Sequence, residues 1–248
     1  MSPKLSAIVI VKNEAHNIAA CLDALAFCGE RIVVDTDSSD GTPAIAAAHG
    51  ARVVNHAWEG FGKQKNFALS LAAGEWVLSI DADERVDAAL AREIEAALAA
   101  PRADGYEIPR VTRFLGREMG RAARPDFVLR LFRRGKARFT DDLVHERVVC
   151  DGPVARLRTP LQHDSVLRLE DALSRIDRYS TANAQMMIQA GRKVSFASGI
   201  THGFWTFFRV YVLRGGFLDG KEGFLLAVAN AEGSYYRYMK AWLAGRSK

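Results

Sequence analysis

The sequence predicts an α/β fold with a mostly parallel sheet flanked by helices. Three observations carry this. Short β-branched or apolar runs alternate with helical patterns across the first hundred residues, the signature of βαβ units. The first run, Leu5 to Val11, is almost continuously apolar, as suits a strand buried on both faces. The runs end at carboxylates and turn residues, and in open α/β sheets ligands sit outside the carboxyl ends of the strands.

The elements follow in order. After Leu5–Val11 comes Lys12-Asn13-Glu14, then helical spacing from Asn17 to Leu25, with Ile18, Leu22 and Leu25 on one side. Arg31 to Val34 is a second strand, ending at Asp35. Thr36 to Pro43 is turn chemistry leading into a helix, with Thr42 read as its N-cap and Pro43 as its first residue. That helix runs to about His49, and Gly50 ends it. Ala51 to Asn55 is a third strand, Lys63 to Ala72 a helix, and Trp76 to Ile80 a fourth strand. Asp87 caps a helix that reaches about Ala99 and presents Leu90, Ile94 and Leu98 on one face. Beyond Pro101 the pattern changes. Gly105–Pro109, Val128–Phe132 and Leu143–Val149 read as strands, and Arg113–Pro125, rich in Arg and Gly, as a mobile loop over the site. Leu169 to Ala190 is a long amphipathic helix. The domain reading is 1–165 for the α/β domain and 166–248 for a helical extension.

Composition narrows the class. The chain has 248 residues, 49% hydrophobic and 25% charged, with a formal charge of +5, values ordinary for a globular protein with a real core. Between Arg102 and Arg138 eleven Lys or Arg face four acids, which suits an anionic partner or a solvated face. Cys21, Cys28 and Cys150 form no even framework and no Cys-x-x-Cys pair, so a reducing compartment is expected. Neither a signal peptide nor a transmembrane run is expected. The last 48 residues hold eleven of the 23 aromatics, and Gly203 to Arg214 suits an amphipathic helix lying in a membrane headgroup layer. Packing on the catalytic domain is the alternative reading. No nucleic-acid-binding module is recognised.

Three loops fall at one sheet edge, carrying Asn13 and Glu14, then Asp35 and Asp37, then Asp81 and Asp83. Taken alone, two carboxylates one residue apart suit a solvated turn or a divalent cation shared with a substrate phosphate. Gly60-Phe-Gly62-Lys63-Gln-Lys65-Asn66 could cradle phosphate at a helix start. Both the P-loop and the Gly-x-Gly-x-x-Gly fingerprint are missing. A nucleoside diphosphate held partly through a metal accounts for this set.

Val33 to Thr42, Trp58 with Gln64-Lys65-Asn66, and Ile80-Asp81-Ala82-Asp83-Glu84 together resemble inverting family 2 glycosyltransferases of the Rossmann-like GT-A fold. Val144-His145-Glu146 and the aromatic tail are similar to the subgroup with lipopolysaccharide core β-glucosyltransferases. One departure stands out: Asp37 occupies a position where the family commonly has glycine. The resemblance implies that Val11, Glu14, Asp35, Lys65 and Asp81 bind the donor nucleotide, a UDP-sugar. It implies that Asp83, with Asp81, binds Mg²⁺ or Mn²⁺. His163 is a candidate third ligand or a structural histidine. Glu146, or else Asp142, is the candidate general base, with an ion pair to neighbouring arginines as the alternative, and His145 is a candidate to orient Glu146 or the acceptor. The implied reaction moves a hexose such as glucose to a glycolipid acceptor, such as the lipopolysaccharide inner core, at the inner face of the cytoplasmic membrane. A nucleotidyltransferase and a non-catalytic membrane-associated module on the same fold are the alternatives.

Overall fold

A computed structural model describes residues 4–123, 126–140, 147–166 and 168–246. The chain forms two compact units. The first comprises Met1–Arg110 and Asp126–His163, and the second Val111–Pro125 and Asp164–Lys248.

The first unit opens with β1 (Leu5–Val11), α1 (Ile18–Ala24), β2 (Glu30–Asp35), α2 (Thr42–Ala48), β3 (Arg52–Asn55), α3 (Phe61–Leu71), β4 (Trp76–Ser79), β5 (Glu84–Arg85) and α4 (Ala88–Ala99). There follow β6 (Gly105–Phe114), β7 (Arg117–Glu118), β8 (Asp126–Arg133), β9 (Ala137–Phe139), β10 (Val148–Cys150), β11 (Val154–Arg156) and β12 (Leu161–Val166). β6 and β12 cross the boundary between the units, and β7 belongs to the second. The main sheet has the order β3-β2-β1-β4-β8-β6-β12-β5. Its first four strands are parallel, with Val11 opposite Asp35, and from β8 onward antiparallel pairs enter. β2 and β3 are added on one side of β1 and β4 on the other. The order therefore reverses at β1, which makes the carboxyl ends of β1, β2 and β4 the natural ligand edge.

Alternation along β1 divides the core. Leu5, Ala7, Val9 and Val11 pack with Ile18, Leu22 and Leu25 of α1 and with Leu90, Ile94 and Leu98 of α4. Ile8 packs on the other face with Ile32, Val34, Val77, Phe132 and Ala68 of α3. Both faces of β1 are thus covered, as its nearly continuous apolar run requires.

Two helix starts differ from expectation. Gly41, with φ +85°, precedes α2, and Thr42 lies inside the helix without capping it. Its buried hydroxyl instead accepts a hydrogen bond from the Glu14 amide at 2.9 Å and donates to Asp40 at 2.5 Å. Gly60, with φ +110°, lets α3 begin at Phe61, two residues before Lys63. The Asp87 cap is as expected: its carboxylate accepts from the amides of Ala89 and Leu90 at 3.0 and 2.8 Å.

The second unit holds α5 (Leu169–Gln189), α6 (Phe196–Phe208) and α7 (Gly220–Arg246). Gly199 and Gly203 let α6 approach α7, since a Cβ at Gly199 would lie 2.2 Å from Met239. Lys240 of α7 reaches α5, donating to Asp177, Ser180 and Thr181. The helix expected over Gly203–Arg214 begins earlier, at Phe196. It ends at Phe208 in a π-turn, Arg209–Leu213, followed by a 3₁₀ turn, Gly216–Asp219. Among the described residues no helix is long and apolar enough to cross a membrane.

Part of the segment expected to be a mobile loop, Arg113–Glu118, is instead a β-hairpin. β6 continues to Phe114, Leu115 and Gly116 turn with φ +51° and +81°, and β7 pairs back, Arg113 opposite Glu118. Positive φ at both central residues is the type I′ signature. Beyond the hairpin, the Asp219 carboxylate accepts from the amides of Gly120, Arg121 and Ala122 at 3.3, 2.9 and 2.6 Å. Met119 and Ala122 are buried.

Candidate active site

Asp35 is the last residue of β2 and only 3% exposed. Its Oδ2 accepts the Ser38 amide at 2.9 Å. Its Oδ1 is buried and has no hydrogen-bond partner among the described residues. Buried polar atoms are nearly always paired, so an unpaired carboxylate oxygen at a ligand edge is an acceptor awaiting a donor group. Val11, opposite Asp35 on β1, is buried, and its carbonyl accepts the Thr36 amide at 3.1 Å. Glu14 accepts from Asn17 Nδ2 at 2.8 Å.

The loops after β1 and β2 are laced together. Asn13, with φ +56°, donates its amide to Ser38 Oγ, and its Oδ1 accepts the Ser39 amide, both at 2.8 Å. Ala15 donates to Asp40 at 3.0 Å. Asp37 also sits at positive φ, +49°, a region that Asp and Asn tolerate better than other side-chain-bearing residues. Asn55 Nδ2 donates to the Asp37 carboxylate at 2.9 Å. Asp37 thus holds the turn that glycine would otherwise allow, and Asn55 anchors its added carboxylate.

Three successive residues of α3 have separate tasks. Gln64, fully buried, donates to Thr36 Oγ1 at 2.9 Å and to the His56 carbonyl at 3.1 Å. Lys65 pairs with Asp81 at 3.1 Å. Asn66 exchanges two 2.9 Å hydrogen bonds with the Phe139 backbone.

After β4 the chain turns tightly. The Asp81 amide donates to Glu84 Oε2 at 3.0 Å, and the Glu84 amide donates to the Asp81 carbonyl at 2.9 Å. Asp81 meets Lys65 through one carboxylate oxygen and Arg130 of β8 through the other. Arg130, 7% exposed, also donates to Glu84 Oε1 at 2.6 Å, and Glu84 is 0% exposed. Arg110 stands 3.5 Å from Glu84 and pairs with Asp126 at 2.7 Å. Burial works against ionisation of Asp81, but Arg130 and then Lys65 outweigh it and hold its carboxyl well below the usual range. Burial likewise opposes the Arg130 charge, and Asp81 with Glu84 pushes its pKa above the ordinary value. Asp81 is therefore committed to two protein cations.

Asp83 is differently placed. Its Oδ2 lies 3.2 Å from His163 Nε2. His163 sits on β12 opposite Glu84 of β5, which brings the ring to the turn. A carboxylate and an imidazole directed at one another suit a divalent cation of mixed O/N preference. Among the described residues no cluster of three or more His, Cys, Asp or Glu could hold a metal. Two protein ligands still fit a cation that completes its shell with substrate phosphate and water.

The structure thus brings Val11 and Glu14 to the edge of β1, Asp35 to that of β2, and Asp81 to that of β4, with Lys65 facing Asp81 and Asp83 facing His163. Glu146, Asp142 and His145 lie outside the described residues. The basic stretch Arg102–Arg138 is divided between the units, and among its described residues Arg110, Arg113, Arg117, Arg130, Arg133 and Arg138 are each ion-paired. Arg130 was not among the expected site residues. Its signal was an arginine between leucines in an apolar strand, the mark of an inward-pointing charge.

Residues 6–162 match the family described as glycosyl transferase family 2. The lipopolysaccharide core biosynthesis glycosyltransferase LpsC of Rhizobium meliloti is 33% identical over 97% of this chain and 92% of its own length. An uncharacterized glycosyltransferase of Rickettsia conorii is 31% identical over 97% and 90%. Among solved structures, Staphylococcus aureus TarS 1-349 in complex with UDP aligns over 99% of this chain and 92% of that chain, with a TM-score of 0.49 and 16% identity. Glucosyl-3-phosphoglycerate synthase from Mycobacterium tuberculosis, solved with Mn²⁺ and UDP, aligns over 45% and 44%, with a TM-score of 0.37 and 24% identity. Structural likeness at these scores carries no information about ligands. The family match across most of the chain, on a sheet whose order reverses at β1, decides the matter: the chain belongs to glycosyl transferase family 2 and is a GT-A glycosyltransferase.

Proposed function

We propose that the enzyme is a metal-dependent, inverting glycosyltransferase that moves a hexose, glucose, from a UDP-sugar to a glycolipid acceptor of the lipopolysaccharide core type. The observation that carries the reading is the buried, unpartnered Asp35 Oδ1 at the same sheet edge as the Asp83–His163 pair. In this reading Asp35 accepts an N–H from the uracil, and Glu14 and Val11 border the nucleoside. Asp83 and His163 hold the cation, and a carboxylate with an imidazole favours Mn²⁺ over Mg²⁺. Bound there, the cation supplies Lewis-acid stabilisation of the departing diphosphate. Asp81 is the third expected ligand. Its two ion pairs suit it better to fixing Lys65 beside the donor and to holding the turn that presents Asp83. A single displacement needs a base for the acceptor hydroxyl proton, and Glu146, or else Asp142, takes that role from its sequence context. The acceptor class rests on the name of the Rhizobium meliloti relative and on the resemblance of the tail. A site at the cytoplasmic face of the membrane agrees with an acceptor of that class.

Thermal unfolding with UDP, GDP, ADP and nucleoside triphosphates, each with and without Mn²⁺, tests the reading. A ligand at a hundred times its Kd adds about 2.7 kcal/mol, or roughly 5–10 °C for a chain of this size. UDP with Mn²⁺ should give that shift, and Asp83→Ala should lose the Mn²⁺ dependence. A shift with triphosphates alone would point to nucleotidyl transfer. No shift with any nucleotide would point to a binding module on this fold. Conversion of an α-linked donor sugar into a β-linked product checks inversion.

A further inference from the structure

The two units differ sharply in charge. The second holds sixteen Lys or Arg against eight Asp or Glu, the first eighteen against twenty-one. The whole of the chain's positive excess therefore belongs to the second unit. Its acids are also largely occupied. Asp219 is buried against three amides, and Glu222, Asp164 and Asp177 are paired with Arg117, Arg113 and Lys240 at 3.1, 3.1 and 2.7 Å.

The same unit exposes large apolar side chains. Phe204 is 71% exposed, Leu218 60%, Phe217 52% and Ile200 50%. They form a connected surface. Ile200, Phe204, Phe207 and Tyr211 follow one another at four, three and four residues, so they share one side of α6 and its π-turn. Phe207 lies 5.7 Å and Tyr211 5.5 Å from Phe224 on α7, and Tyr211 lies 6.3 Å from Phe217 in the 3₁₀ turn. A Cβ at Gly215 would meet Leu218 at 3.6 Å and Arg121 at 3.8 Å, so both border that turn. Arg214 follows Tyr211 by three residues, and Lys221 precedes Phe224 by three. Contiguous exposed apolar surface of this kind marks an interaction site.

Charge selects the occupant. A second copy of the chain would set one strongly positive unit against another, which like-charge repulsion opposes. An anionic lipid surface offers both an apolar layer for the aromatics and phosphates for the cations. We infer that the second unit docks on the surface of an anionic lipid bilayer through Phe204, Phe217, Leu218 and Phe224, with Arg121, Arg214 and Lys221 on the headgroup phosphates. It lies in the interface and does not cross it. The docking surface is wider than the Gly203–Arg214 segment that sequence singles out. It includes the 3₁₀ turn, the start of α7 and the loop clamped by Asp219. The inference rests on the second unit alone and not on the donor chemistry proposed above.

Co-sedimentation of the full chain with vesicles tests it. The vesicles are phosphatidylcholine alone, or phosphatidylcholine with about a third phosphatidylglycerol. The wild type should bind the anionic vesicles at least about tenfold more tightly, and the difference should shrink as salt is raised. Phe204→Ser with Phe217→Ser should weaken that binding by about tenfold or more. Arg121→Gln, Arg214→Gln and Lys221→Gln together should remove most of the preference for anionic vesicles, a loss of roughly tenfold to a hundredfold. These side chains are exposed or bordering the surface, so the variants should keep the wild-type melting temperature and the UDP–Mn²⁺ shift. Equal binding to both vesicles, binding to neither, or unchanged binding by both variants would overturn the inference. So would a wild-type dimer in sedimentation equilibrium that the double phenylalanine variant converts to a monomer, since that assigns the surface to a second copy. Absence of the UDP–Mn²⁺ shift with vesicle binding intact would count against the proposed donor reading and leave the docking surface standing.

Discussion

Replacing Arg130 by methionine should destabilise the first unit far more than an ordinary substitution. The methionine keeps most of the stem and removes the guanidinium. Around it three cations, Lys65, Arg110 and Arg130, meet three anions, Asp81, Glu84 and Asp126. The variant leaves two against three. Glu84 suffers most. It is completely buried, its Oε1 loses a 2.6 Å donor, and the nearest remaining cation, Arg110, stands 3.5 Å away. Removing one partner of a buried pair costs about 3–5 kcal/mol, most of it the desolvation of the charge left behind. At about 2–4 °C per kcal/mol, melting should fall by roughly 6–20 °C. Adding Glu84→Gln should recover part of the loss, because glutamine can still accept the Asp81 amide and carries no charge. Arg130→Lys should fall between, since one ammonium cannot reproduce the fork that serves two carboxylates. Urea and thermal unfolding of the four proteins give the comparison. An Arg130→Met protein within about 1 kcal/mol of wild type, or a double variant no more stable than the single, would refute the account.

Three further outcomes follow from the geometry. Asp219→Ala removes the acceptor of three backbone amides and should cost about 2–4 kcal/mol, with hydrogen exchange at Gly120, Arg121 and Ala122 rising ahead of the rest. Partial burial opposes ionisation of Glu93, but hydrogen bonds from Thr159 and Arg158 outweigh it and depress its pKa. A depressed carboxyl favours the folded state above its unfolded value near 4.3 and loses that contribution as pH falls through the folded value. Glu93→Gln should accordingly flatten stability against pH in the acid range and leave it flat near neutrality. Burial pushes the Cys21 and Cys28 thiols up to about 12 and raises Cys150 in the same direction. Iodoacetamide on the native protein near neutral pH should thus add at most one group, at half-buried Cys150, with three appearing only on unfolding, as intact mass would show.

Most of the carboxylate-bearing sheet edge was legible because its signals are local. β1 runs from Leu5 to Val11 as its apolar run indicates, Asp87 caps α4, and the carboxylates fall where the strands stop. What escaped was set by residues far apart in sequence. Thr42 has the chemistry and position of an N-cap, but Glu14 and Asp40 claim its hydroxyl. The hairpin after β6 turns on Leu115 at positive φ, which no turn preference announces, and its anchor Asp219 is almost a hundred residues away. In Asp81-Ala82-Asp83 sequence cannot say which carboxylate is neutralised, because α3 and β8 supply the cations that decide it. Within the expected helical extension α7 was not delimited as a helix of its own, because Gly223, Gly233 and Gly245 interrupt its helical pattern. Two of the three leave the helix free of clashes, and Gly223 is needed where the Gly216 carbonyl would lie 2.0 Å from a Cβ.

The lacing of Asn13, Glu14 and Ala15 to Ser38, Ser39, Asp40 and Thr42 has a thermodynamic consequence. Ordering a loop residue costs about 1–2 kcal/mol in backbone entropy. Here that ordering is met when the chain folds. Under the function proposed above, a nucleoside arriving at Asp35 would meet a preorganised rim, so its binding enthalpy would not be spent on freezing the loops. Short fragments of the donor, uridine or uracil alone, should then retain most of the affinity that this half of the site can provide.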